Sequence, residues 1–116
     1  MLFLPIATPV LGLLMSAAGA LVPTINPEPS CRSAAARAQP IGDIEICMRL
    51  ERRARDEMVT RWGEFSDGDK AACISLATAG GNPTYTELLT CLELKRDARL
   101  LREREGRDAN AWDRAR

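Results

Sequence analysis

Apolar residues recur at helical spacing in three stretches of this chain. The first stretch begins at Asp43, a good N-cap, and runs to Trp62, with Cys47, Leu50, Ala54, Met58 and Trp62 on one face and Ile44 and Met48 beside it. Its other face carries Glu45–Arg49, Glu51–Arg55 and Glu57–Arg61, each acid four residues before its base. That orientation favours solvated ion pairs along a helix surface. The second stretch follows Ser66, with Asp69 three positions on as the partner of a capping box, and its inner face reads Ala72, Cys73, Leu76. Gly80 and Gly81 end it, because glycine enters the left-handed conformation without a Cβ penalty. Thr84 and Glu87 form another capping box, with Pro83 placed to staple against Leu88. The third stretch then carries Leu88, Cys91, Leu92, Leu94, Ala98 and Leu101.

No stretch alternates with strand periodicity. The expectation is an all-α domain of three helices over residues 43–102. Residues 21–42 hold Pro23, Pro27, Pro29 and Pro40, and read as a Pro/Ala-rich extended linker. Residues 103–116 are charged and contain Gly106, and read as a frayed helix or a disordered tail with Trp112 as its one large apolar residue.

Residues 1–20 differ from everything after them. No charged residue precedes Glu28, and the apolar run to Met15 passes into Ser16-Ala-Ala-Gly-Ala20. Apolar segment followed by small residues is the order of a secretory signal peptide, with cleavage after Ala20. A retained anchor is the competing reading, since residues 2–22 just reach the roughly 20 residues that span a bilayer. The small-residue run and the two prolines, Pro5 and Pro9, favour the signal. The protein is then periplasmic or secreted, with no stable membrane span once the leader is removed.

Export changes the meaning of Cys31, Cys47, Cys73 and Cys91. Zinc sites bring thiolates in close pairs, and no such pair occurs here. An even count in an exported domain indicates two disulfides instead. Cys73 and Cys91 each lie nine residues from Asn82, so a helical hairpin folded there brings them level. This favours Cys73 with Cys91 and Cys31 with Cys47; the chief rival joins Cys47 to Cys91.

Composition narrows the chemistry further. The chain has no histidine, which excludes triads and Cys-His pairs within it. Sixteen basic residues, fourteen of them Arg, are balanced by sixteen acids, so no broad positive field exists for nucleic acid. Met48 and Met58 read as core rather than copper ligands. Asp67-Gly68-Asp69 opens like a calcium loop but runs into Ala71-Ala72-Cys73, so the match fails. No catalytic constellation and no cofactor are expected. Trp62, Phe65 and Tyr85 lie at helix ends; they are candidate surface contacts, although plugging the ends of a thin core suits them better.

The segment Gly81-Asn-Pro-Thr-Tyr-Thr-Glu-Leu-Leu-Thr-Cys-Leu-Glu93 resembles a motif of small exported alphaproteobacterial proteins, in which Gly-x-Pro-Ser/Thr-Tyr leads into Leu-Leu-Thr-Cys-Leu-Glu. The acidic and Arg-rich helix from Cys47 to Met58, then Trp62, Phe65 and Cys73, is similar to the same group. The resemblance covers roughly residues 43–101. It implies export, compactness and disulfides, and carries no activity. The longer charged tail and the leader without basic residues depart from that pattern.

Together these features predict a non-catalytic binding or envelope-support module whose partner is a protein or envelope component, monomeric or weakly self-associating. The alternative is a thiol-redox protein or a small secreted inhibitor or effector.

Overall fold

The computed structural model describes residues 2–3, 21–38 and 42–116. The leader and its cleavage site after Ala20 lie outside the described residues, apart from Leu2 and Phe3. The described chain is all-α: α1 spans Glu28–Arg37, α2 Ile44–Arg61, α3 Asp67–Ala79 and α4 Tyr85–Ala115, with a 3₁₀ turn over Trp62–Glu64.

Three of the four helices start as their caps dictate. The Asp43, Ser66 and Thr84 side chains accept from the amides of Glu45, Asp69 and Glu87 respectively. The Asp69 carboxylate turns towards Arg99, at 3.6 Å, rather than back to the cap. Gly81 makes the turn into α4 with φ of 85°, the left-handed region that a Cβ disfavours.

The other helix, α1, corrects the linker reading. Its prolines flank the helix or sit in its first turn, where a missing amide costs nothing: Pro27 is the N-cap residue and Pro29 lies at the start. Asn26 accepts from the Glu28 amide, and Glu28 pairs with Arg32 one turn on. Ala34, Ala35 and Ala36 then propagate it with high intrinsic propensity. The tail reading is corrected as well. α4 continues unbroken through Gly106 to Ala115, because Leu, Arg, Glu and Ala dominate its second half.

α4 is the organising element, packing against α2 and against α3, while α1 packs on α2. The core gathers Ala54, Met58, Trp62 and Phe65 from the α2 side, Cys73 and Ala77 from α3, and Tyr85, Leu88, Leu89 and Leu92 from α4. Two disulfides fix this arrangement, Cys31 to Cys47 and Cys73 to Cys91, with Cα separations of 5.6 Å in both. That is the pairing which a chain folded back at residues 80–83 favours over its rival.

The helix faces are turned from where apolar spacing alone puts them. Leu50, Leu76, Leu94 and Leu101 are half or more exposed, whereas Glu51 and Lys70 are buried. The segment before α1 also joins the core. The Ile25 amide donates to the Tyr85 hydroxyl at 2.8 Å, and Val22 and Ile25 pack on the cluster. Ile25, Ile74, Pro83 and Leu88 line one small cavity of about 90 Å³. Among the described residues no helix is long and apolar enough to cross a membrane.

Candidate functional site

The aromatic side chains are the first candidates for a contact surface, and the structure closes them off. Trp62, Phe65 and Tyr85 are 7%, 4% and 5% exposed. Each plugs an end of the core; charged groups cover Trp62 and Phe65, and the Tyr85 hydroxyl accepts from the Ile25 amide. The Lys70 ammonium lies 4.8 Å from the Trp62 ring centroid, and Asp67 stands 3.6 Å from the same ammonium. Phe65 is flanked by two guanidiniums, Arg61 at 5.5 Å and Arg96 at 5.6 Å. Their reading as surface contacts is therefore corrected: large apolar area at the ends of a thin core gains more from burial than from exposure.

The guanidiniums are held by acids from several elements. Arg61 donates to Glu93 at 2.7 Å and to Glu57 at 2.8 Å, while Glu64 accepts from both Arg61 and Arg96. Hydrogen bonding to Glu93 first, then to Glu64 and Glu57, holds the Arg61 guanidinium protonated well above the usual arginine range; desolvation acts the other way and is outweighed. This network ties the end of α2 to the middle of α4. It offers fixed positive charge to its own acids.

The most buried carboxylate is Glu51, which the periodicity puts on a solvated face beside Arg55. Its oxygens instead accept from the Tyr85 amide at 2.7 Å and from the Thr86 hydroxyl. A helix begins with four amides lacking intrahelical partners, and a carboxylate there also meets the positive end of the helix dipole. Glu51 thus caps α4 from across the core, alongside Thr84. The sequence signal was faint: an acid at the 47, 51, 54, 58 spacing of the inner stripe, where a solvated acid has no place.

Glu51→Ala is expected to lower stability by about 1–3 kcal/mol, the cost of leaving a buried amide and hydroxyl without an acceptor. Glu51→Gln, which keeps one acceptor oxygen, should lose less. Urea unfolding followed by Trp fluorescence would read both. Equal midpoints for Glu51→Ala and the parent would remove the cap from the fold's energetics.

What remains open is a set of shallow surfaces. One groove of about 500 Å³ runs along α4 beside Thr86, Thr90, Cys91, Leu94 and Lys95. Another, of about 340 Å³, lies between α1 and α2, beside Ala35, Ala38, Ile46 and Leu50. Neither gathers the convergent polar groups of a small-molecule site. Among the described residues no cluster of Cys, Asp or Glu has a metal-holding arrangement, and none of the four cysteines is free. No family model, curated protein or solved structure matches this chain.

The largest open feature is the second half of α4. Every residue from 101 to 116 is exposed, with Trp112 at 72%. Leu92 is the last fully buried residue of α4, Arg96 and Arg99 still reach Phe65, Glu64 and Asp69, and the last sixteen helical residues then continue as an arm of roughly 24 Å at 1.5 Å each.

Proposed function

We propose that this chain is an exported, non-catalytic binding or envelope-support module that presents the α4 arm from a disulfide-fixed helical scaffold. The arm is the observation that carries this reading. A lone helix of that length is marginal in water, so a bare one with exposed Leu100, Leu101 and Trp112 is suited to being covered by another surface. The buried and half-buried charges of the scaffold, Glu51, Arg61, Lys70 and Arg96, are engaged in holding it, which supports a support role over a catalytic one. Export is supported by the leader pattern, by the two bridges, which belong to oxidising compartments, and by the resemblance to small exported alphaproteobacterial proteins.

Intact mass of the protein recovered from the periplasm or medium, before and after denaturing reduction and alkylation, tests this. The expected species begins at Leu21, and its four cysteines alkylate only after reduction in denaturant. A full-length species retained in the cytoplasm would sink the export reading. The thiol-redox alternative draws on one observation, that Cys91 is half-buried beside the α4 groove while Cys73 is fully buried. Thiols released by mild reductant in native buffer would move it ahead.

A further inference from the structure

The two grooves already described are walled mainly by apolar side chains. A third opening, between α3 and α4, is walled differently. It is a cleft of about 240 Å³ lined by Asp69 from the first turn of α3 and by Leu94, Lys95, Ala98 and Arg102 of α4. Along α4 the order is cation, apolar, cation: Lys95, then Ala98 with Leu94 beside it, then Arg102. At 1.5 Å and 100° per residue, the two cationic positions stand roughly 10.5 Å apart along the axis and point within about 20° of one another.

Asp69 does not neutralise them. Its Oδ2 is buried, accepts no hydrogen bond, and faces Arg99 at 3.6 Å, so this acid is matched by a different guanidinium. Among the described residues neither Lys95 nor Arg102 forms an ion pair. The next acid on this face of α4, Glu105, lies a turn beyond Arg102 and outside the cleft. Two cations at the ends of an apolar floor call for a ligand of the opposite pattern.

We propose that this cleft binds a short aliphatic dicarboxylate. One carboxylate meets the Lys95 ammonium, the other meets the Arg102 guanidinium, and the methylenes lie on Leu94 and Ala98. An arginine fork takes both oxygens of a carboxylate, while lysine meets the charge as a point. Volume sets the size class, because 240 Å³ falls below the roughly 300–1,000 Å³ of sites for drug-sized ligands. An inorganic ion would leave the floor uncovered, and a monocarboxylate would leave one cation unused. Leu94, an exposed leucine at the cleft, loses water contact when the ligand sits down. Lys95 is half-buried and Arg102 exposed, so water and salt screen both charges. The dissociation constant is accordingly weak, on the order of 1 mM.

This site goes beyond the arm reading and depends neither on export nor on what covers the arm. Its test uses the oxidised full chain, titrated at fixed ionic strength with adipate, hexanoate and inorganic phosphate while backbone amide shifts are followed by NMR. Adipate is expected to move the amides of Asp69 and of residues 94–102, and to bind at least about threefold more tightly than either other probe. Lys95→Ala and Arg102→Ala should each weaken adipate roughly three- to fivefold. Ala98→Asp, which sets an acid between the two cations, should remove binding. Arg52→Ala, an exposed cation of α2 away from the cleft, should leave it unchanged. Circular dichroism checks that each variant keeps its helices. Hexanoate or phosphate binding as tightly as adipate, shifts that map elsewhere, a cleft variant that binds like the parent, or an equal loss from Arg52→Ala would each overturn the proposal.

Discussion

Replacing Cys73 and Cys91 together by alanine is expected to lower stability by about 3 kcal/mol. The bridge closes a loop with a sequence separation of 18, and removing it returns that loop-closure entropy to the unfolded chain. Cys73 is fully buried within the core cluster, so the bridge also sits where α3 and α4 meet. Its loss should loosen the whole cooperative unit. The Cys31–Cys47 bridge closes a loop of nearly equal size, with a separation of 16, yet its loss should read differently. Among the described residues α1 packs on α2 alone, and Cys31 lies outside the main cluster. Amide exchange should therefore speed up over residues 28–37 while the unfolding midpoint moves far less. Denaturant unfolding with exchange mapping checks both. A Cys73/Cys91 variant within 1 kcal/mol of the parent, or equal midpoint losses for the two pairs, would contradict this division.

Leu92→Ala is expected to cost about 3 kcal/mol with both bridges intact. The side chain is fully buried on α4, among residues of α2 and α3 that the backbone holds apart, so the cavity left behind cannot collapse fully. Leu94→Ala, two positions on, is the control. Leu94 is 65% exposed, and its truncation should change stability by less than about 0.5 kcal/mol. The sequence puts both leucines on the same apolar stretch, so unfolding midpoints for the two variants measure which face of α4 is inside. A Leu94→Ala loss comparable to that of Leu92→Ala would mean that the helix is rotated from the orientation described.

That comparison also shows what was legible in the chain and what was not. The caps at Asp43, Ser66 and Thr84 act locally, each through a side chain and an amide two or three residues away, and so they read directly from sequence. The all-α class and the hairpin that brings Cys73 level with Cys91 read equally well, since both follow from helix periodicity and one glycine turn. The rotation of each helix did not. Leu50 and Leu76 look like core residues by type, but the inner stripes run through Glu51 and Lys70, whose charged ends are satisfied by groups far away in sequence: the α4 amides for Glu51, the Trp62 ring for Lys70. Periodicity counts apolar side chains and has no way to count those partners. The first helix was missed for a related reason. The number of prolines suggests a linker, but their effect depends on position, and Pro27 and Pro29 both sit where a helix has amides to spare. The candidate contacts shifted accordingly, from the buried Trp62, Phe65 and Tyr85 to the α4 arm, whose order rests on the propensity of residues that composition alone assigns to a tail.

The hydrogen bond from Ile25 to Tyr85 sets an order of events. Its partners are sixty residues apart, and the strap before α1 docks beside Ile74 and Ala77 of α3 and Leu88 of α4, so its seat is complete only once α4 has begun. On a chain made from its amino terminus at about 5–20 residues per second, that interval amounts to roughly 3–12 s. For that time the earliest part of the scaffold stays extended and unclosed. The domain cannot complete itself around its own beginning until the start of α4 has been synthesised, so its native shape is available only after any process that needs a loose leading segment has had time to act.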